Sequence, residues 1–125
     1  MINRDILHEA SQRLVRQFHP QQIILFGSYA RGTADEHSDV DLLVVCSFQG
    51  SRRKLMVEMD RSLRGLNLAR DIVILSPEEF ERDRHIPGTL ARPISQEGEV
   101  LYERKYKITN ILKVYVLGED ELLVV

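Results

Sequence analysis

The sequence predicts one α/β (α+β) domain, in which helices flank a mixed β-sheet. Two observations lead to this prediction. Apolar runs with strand character alternate with segments whose apolar residues recur at helical spacing, and the 125 residues are the length of a single domain. Hydrophobic residues make up 43% of the chain, so one core can be buried and extended disorder is not expected.

The first elements are a helix, a short strand and a second strand. Residues 3–18 carry apolar side chains at helical spacing, with Asn3 as the N-cap. The helix stops before Pro20, because the residue preceding a proline avoids the α region. Gln22–Phe26 is a buried strand by its length and its β-forming residues, and Asp39–Val45 is the second strand.

The remaining elements are predicted as helix, strand, helix, helix and strand, over residues 51–66, 71–75, 77–83, the end of 87–98, and 99–103. Ser76 and Glu79 form a capping box with a proline between them, which is a strong signal for a helix start. Gly98 is expected to cap the last helix, which tolerates Pro93 only in its first turn.

Composition excludes several classes of protein. The 17 Lys and Arg residues against 19 Asp and Glu leave a net charge of −2, which argues against binding along extended nucleic acid. The single cysteine, Cys46, excludes an intramolecular disulfide and a cysteine-based zinc site. No apolar run approaches the roughly 20 residues of a membrane span, and no signal peptide is recognisable. We therefore expect a cytoplasmic protein without a membrane anchor.

A small-residue turn follows the first strand, in the sequence Gly27-Ser28-Tyr29-Ala30-Arg31-Gly32. Small residues before a helix let a phosphate approach the backbone N–H groups, and the Ser28 hydroxyl adds a donor. Arg31 can meet a triphosphate or a partner, or it can pair with Asp35 or Glu36, and the sequence leaves these possibilities open.

Three carboxylates are predicted to meet this turn. Asp39 and Asp41 are two apart on a strand and so share one face. Asp71 begins the next strand, which should run parallel to it because a helix connects the two. Closely spaced carboxylates stay ionised most readily around a hard cation such as Mg²⁺ or Mn²⁺. The pattern fits metal-dependent phosphoryl or nucleotidyl transfer.

These spaced elements resemble a known family. Gly-Ser, a ten-residue interval, Asp-x-Asp and a later strand-borne aspartate are similar to the DNA polymerase β-like nucleotidyltransferase superfamily and its fold. The Gly-Ser-Tyr-Ala-Arg-Gly form and the ending at residues 97–103 resemble its minimal nucleotidyltransferase (MNT) branch. The resemblance covers residues 1–104, which we take as a minimal nucleotidyltransferase domain.

The resemblance implies a role for each matching residue. Asp39 and Asp41 would bind two metal ions, Mg²⁺ or alternatively Mn²⁺, and Asp71 would complete one metal site and help activate the attacking hydroxyl. Gly27 and Ser28 would hold the triphosphate of ATP, with Arg31 assigned to the same nucleotide site.

The resemblance also implies a partner. Many proteins of this branch are antitoxins that transfer AMP from ATP to a tyrosine of a HEPN-domain toxin. Two alternatives stay open: an antitoxin that neutralises its partner by occlusion, and a nucleotidyltransferase whose acceptor is a small molecule or an RNA end. Homo-oligomerisation is also left open.

Residues 105–125 lie beyond the resemblance. Ile111–Leu117 and Leu122–Val125 have strand character around a turn, which predicts a β-hairpin. An isolated hairpin with this many apolar residues should not stay exposed, so we expect it to pair with the sheet edge, with a second copy of the chain or with a partner. The alternative is that residues 105–125 are a frayed tail or a sequence that is not native to the family.

Overall fold

The computed structural model describes residues 3–104 in full, together with the backbone of two short strands in the C-terminal segment. The predicted mixed sheet with flanking helices is confirmed. Its elements are α1 (Arg4–Phe18), β1 (Gln22–Phe26), α2 (Ser28–Arg31), β2 (Val40–Val45), α3 (Arg52–Ser62), β3 (Arg70–Leu75), α4 (Pro77–Asp83), α5 (Ala91–Glu97) and β4 (Glu99–Glu103).

The four strands are ordered β3-β2-β1-β4. Strand β1 runs antiparallel to β2 and β4, whereas β2 and β3 are parallel, as the helical connection between them predicts. The end of β1 and the starts of β2, β3 and β4 therefore lie along one side of the sheet. We call this side the front edge.

Strand β2 is the centre of the core, because apolar side chains cover both of its faces. Val40, Leu42 and Val44 pack in the cluster formed with α1 and α3, while Leu43 and Val45 pack in the cluster formed with α4 and α5. The five side chains are almost completely buried. An uninterrupted apolar run on a central strand is the pattern expected when helices cover both faces.

The predicted helix caps are present. The Asn3 side chain accepts a hydrogen bond of 2.7 Å from the Asp5 N–H at the start of α1. At the start of α4, Ser76 Oγ accepts from the Glu79 N–H at 3.1 Å, and Glu79 Oε1 accepts from the Ser76 N–H at 2.9 Å. Both caps are local, which explains why the sequence predicts them well.

Helix α3 is shorter than predicted, ending at Ser62 instead of Leu66. The Leu63 N–H donates to the Asp60 carbonyl at 3.1 Å, which is the tighter spacing of a 3₁₀ turn. Gly65 then takes a positive φ of 90°. The chain thus leaves the helix one turn early, although the apolar pattern continues because Leu63 and Leu66 still face the core.

Helix α5 has Pro93 in its first turn and Gly98 at its end, as predicted, but the conformation of Gly98 was not predicted. Pro93 is the third helical residue, so its missing N–H falls in the first turn, where no helical bond is lost. Gly98 does cap the helix, but with extended backbone at φ −69°. A Cβ there would lie 2.5 Å from Ile24 Cγ2 and 2.6 Å from the Ile94 carbonyl oxygen, so glycine is required for space.

Strand β4 contains a β-bulge. Ile23 pairs with Tyr102 and Ile24 with Val100, so Leu101 is the extra residue. The bulge turns Leu101 and Tyr102 together toward the core on the α1 side.

The predicted hairpin falls mostly outside the described residues. Of residues 105–125, the structure describes only the backbone of β5 (Val114–Val116) and β6 (Leu122–Val124), which pair antiparallel in a separate two-stranded sheet. Within the described parts of the chain, no helix has the length and apolar character needed to cross a membrane.

We expect Leu14→Ala to lower the free energy of unfolding by about 2–5 kcal/mol, because Leu14 is fully buried between α1 and the sheet and its removal leaves a cavity. Denaturant unfolding measures this. Val57→Ala, at an exposed position of α3, is the control and should change stability by less than about 0.5 kcal/mol. Equal losses in the two variants would contradict the assigned core.

Candidate functional site

Sheet pairing brings the predicted carboxylates to the front edge. Asp41 lies opposite Phe26 of β1 and in parallel register with Asp71 of β3. Asp39 immediately precedes β2. The Val40 N–H donates to the Ala69 carbonyl at 2.8 Å, which holds the segments that lead into β2 and β3 side by side. The structure thus gathers Asp39, Asp41 and Asp71 at one place.

Asp41 shares its sheet face with Leu43 and Val45, the residues that α4 and α5 cover. Asp41 is partly buried, whereas Asp39 and Asp71 are exposed. The front end of this face is therefore less covered than the rest, and the carboxylates there are accessible to solvent and ligands.

Gly27 touches the central carboxylate. Its φ of 72° and ψ of −151° suit glycine alone, and a Cβ at this position would lie 2.2 Å from Asp41 Oδ2. No other residue can occupy this position without displacing Asp41. The turn after β1 and the carboxylates of β2 are thus parts of one site.

Helix α2 supplies the rest of the turn. The Arg31 N–H donates to the Gly27 carbonyl at 3.1 Å, and the Thr33 N–H donates to the Ser28 carbonyl at 2.9 Å. The N–H groups of residues 28–30 precede the first of these bonds and have no partner within the helix. These backbone donors therefore directly follow Gly27, the residue whose position adjoins Asp41.

The electrostatics of the site centre on Asp41. Partial burial raises the pKa of its carboxyl, and the negative charges of Asp71 and Asp39 raise it further, while the positive charge of Arg31 lowers it. Arg31 is thus within electrostatic reach of the carboxylates rather than engaged only by the loop that follows it.

This charge distribution fits a divalent cation, which would relieve the repulsion among the three carboxylates. Within the described residues, no three His, Cys, Asp or Glu side chains already converge as a ready ligand set. Carboxylate oxygens are donors of the type that Mg²⁺ and Mn²⁺ prefer. Because Asp39 and Asp71 are exposed, the surrounding protein leaves their side chains room to turn toward an ion.

Two supporting contacts were not predicted from the sequence. Asp35 Oδ1 accepts from the His37 N–H at 2.8 Å and from Ser38 Oγ at 3.2 Å, which shapes the loop that leads into Asp39. Arg70 Nε donates to Asp60 Oδ1 at 2.9 Å, so α3 holds the start of β3 beside Asp71. The Asp-x-x-Ser spacing is a turn signal that could have indicated the first contact; the second depends on tertiary packing.

Comparison with known proteins agrees with this geometry. A family model described as "Polymerase beta, Nucleotidyltransferase" matches residues 9–107. A crystal structure described as a "putative nucleotidyltransferase" from Sulfolobus solfataricus has a TM-score of 0.57 at 21% identity, covering 80% of this chain and 79% of that one. At this identity the likeness concerns the fold alone.

Two curated relatives come from Methanocaldococcus jannaschii. "Putative protein adenylyltransferase MJ1305" is 53% identical over 55 residues, which is 42% of this chain but only 37% of that protein. "Putative protein adenylyltransferase MJ0604" is 32% identical over 83 residues, which is 66% of this chain and 78% of that protein.

A solved complex described as "the toxin-antitoxin with AMP-PNP" contains a chain similar to this one. Its TM-score is 0.57 at 25% identity, and the match covers 78% of this chain and 74% of that chain.

We expect Gly27→Ala to destabilise the protein more than Gly32→Ala. Both glycines have positive φ, at 72° and 76°. Gly32 has the left-handed helical conformation, with ψ 18°, where alanine costs about 1–2 kcal/mol, whereas the ψ of −151° at Gly27 lies in a region open essentially to glycine alone and is more strained for alanine. Only the Cβ at Gly27 collides with a neighbour, the Asp41 carboxylate, whereas nothing lies within 4 Å of a Cβ at Gly32. Denaturant unfolding of the two variants measures the difference.

The same pair of variants in an Asp41→Ala background forms a double-mutant cycle. Removing the carboxylate leaves only Asp41 Cβ, 3.5 Å from the new methyl group, so the part of the extra cost at Gly27 that comes from the collision should disappear, while the backbone strain remains. An undiminished extra cost would show that the contact with Asp41 is not its source.

We expect Asp41→Asn to stabilise the metal-free protein near neutral pH. The pKa of Asp41 is raised on folding, so the protonated form favours the folded state; this stabilisation is complete below the unfolded-state pKa and is lost as the pH rises through the folded-state pKa. The neutral amide avoids that loss. Thermal unfolding in a chelator, from about pH 3 to pH 8, should show the two curves separating as the pH rises. Glu36→Gln, at an exposed position nearby, should follow the wild type.

Proposed function

The chain belongs to the polymerase beta nucleotidyltransferase family, and we propose that it transfers AMP from ATP to a tyrosine hydroxyl of a partner toxin of the HEPN type. The observation that carries the proposal is the register pairing of Asp41 with Asp71 beside the Gly27 backbone. The adenylyltransferase names of the archaeal relatives support the reaction, and the toxin–antitoxin complex with AMP-PNP supports the nucleotide and the class of partner.

In this proposal Asp39, Asp41 and Asp71 hold two divalent cations, Mg²⁺ or alternatively Mn²⁺. Carboxylate oxygens are the ligands that these ions prefer. Partial burial, and then the negative charges of Asp71 and Asp39, raise the pKa of Asp41, and a cation would relieve the repulsion among the three carboxylates. When bound, the ions supply neutralisation of the charge that develops on the attacking and leaving oxygens.

The remaining roles follow from position. Gly27, Ser28 and Arg31 bind and orient the triphosphate. The acceptor hydroxyl oxygen forms a bond to the α-phosphorus of ATP, the bond to the pyrophosphate oxygen breaks, and Asp71 accepts the hydroxyl proton. The products are pyrophosphate and an AMP–tyrosine phosphodiester.

A macromolecular acceptor is compatible with the exposure of the site. Asp39, Asp71 and Arg31 are exposed on the front edge, so a side chain on another protein can reach the carboxylates without a large opening of the fold. The near-balanced charge of the chain favours a protein over an extended nucleic acid as the acceptor.

We expect Asp39→Asn and Asp41→Asn each to reduce AMP transfer by about a hundredfold or more, because each removes a charged ligand from the metal site. The assay combines the protein, labelled ATP, Mg²⁺ and the product of the neighbouring gene as the candidate partner, and measures the mass gain of one AMP on that protein. Chelation of the metal should abolish the signal. Glu36→Gln, an exposed change near Asp39, should leave it intact.

The same variants separate the alternatives. If Asp41→Asn still neutralises the partner fully, occlusion rather than AMP transfer is the mechanism. If the wild type with metal transfers no AMP to the protein but labels RNA ends or a small acceptor, the reaction class stands and the proposed acceptor is wrong.

A further inference from the structure

We propose that an apolar slot between α2 and α5 holds the base of the nucleotide whose triphosphate binds beside Gly27, an inference that rests on the proposed function. The slot has a volume of about 250 Å³. One wall is formed by Phe26, Gly27 and Ala30, and the other by Leu90, Pro93 and Ile94. Gly27 is thus shared between the slot and the carboxylate site.

The lining of the slot suits a flat ring and not a phosphate. Aliphatic and aromatic side chains dominate both walls; the charged members of the lining are Arg31 and Glu97. Pockets that enclose a drug-sized molecule occupy roughly 300–1,000 Å³, so this smaller slot fits one ring system of a larger ligand. Burial of an apolar ring there is favourable because it removes apolar surface on both partners from water.

The order of the strands indicates which ring system, the nucleotide base or the acceptor tyrosine, the slot can hold. The slot lies on the β1 side of Asp41, since Phe26 ends β1 and Gly98, beside Ile94, leads into β4. Asp71 lies on the opposite side of Asp41, on β3. Asp41 therefore separates the slot from Asp71.

In-line transfer places the attacking and leaving oxygens on opposite sides of the α-phosphorus. With the pyrophosphate beside Gly27 and Ser28, the acceptor hydroxyl approaches from the Asp71 side. The tyrosine ring of the acceptor is therefore excluded from the slot, and the apolar group left to fill it is the nucleotide base.

The slot is also preformed. Ile94 is buried in the core cluster beneath α4 and α5, against which Phe26 packs. Gly98 lets α5 approach β1 closely, because any Cβ there would meet Ile24. In contrast, Leu90 is 47% exposed at the rim, where a ligand could cover it. Rigid walls with a partly exposed rim lower the ordering cost of binding.

The test compares Leu90→Ser with the matched control Ile86→Ser. The two residues are similarly exposed, at 47% and 45%, but only Leu90 lines the slot, and neither change should prevent folding. Calorimetry with Mg²⁺ measures the affinity for ATP and for inorganic tripolyphosphate, which has no base. We expect Leu90→Ser to weaken ATP about five- to tenfold and to leave tripolyphosphate within about twofold, whereas Ile86→Ser changes neither.

Three results would overturn the inference. Equal weakening of ATP and tripolyphosphate by Leu90→Ser would place its effect on the triphosphate site. Unchanged ATP affinity with impaired AMP transfer would assign the slot to the acceptor. A wild type that binds neither compound would remove the proposed function, and the slot's role with it. If the slot variant behaves as expected but no acceptor receives AMP, the base site stands and the proposed transfer fails.

Discussion

The position of the central strand β2 is the constraint on which the site depends. Side chains of β2 are buried on both faces, and a slip of one residue would exchange Leu42 with Leu43 and move Asp41 to the opposite face. Both clusters would then lose their complementary side chains. The apolar side chains of β2 therefore fix the register that holds Asp41 beside Asp71 and Gly27. Hydrophobic packing thus positions the polar site, although the polar side chains are not part of the core.

The fold could be predicted from the sequence where its determinants are local. The capping box of Ser76 and Glu79 and the strand Gln22–Phe26 need only neighbouring residues, and the structure has both as predicted. The meeting of Gly27 with Asp41 and Asp71 followed from strand directions, which connection lengths dictate. The connections between strands therefore predict this part of the candidate site from the sequence alone.

The remaining features do not follow from the local sequence patterns alone. The early end of α3 comes from a 3₁₀ turn where an uninterrupted apolar pattern predicted more helix. Gly98 was predicted as a helix cap, but its close approach to Ile24 of β1 was not, because that contact exists only once the sheet has formed. The contact of Arg70 with Asp60 and the slot beneath Leu90 likewise join segments that no single stretch of sequence describes.

The bulge in β4 has a consequence for how copies of this protein behave at high concentration. Within the described residues, β4 pairs only with β1, so a regular strand there would present a row of backbone groups to other chains. The extra residue at Leu101 interrupts that row. Strand β4 is thus a poor template for edge-to-edge pairing between copies of the protein.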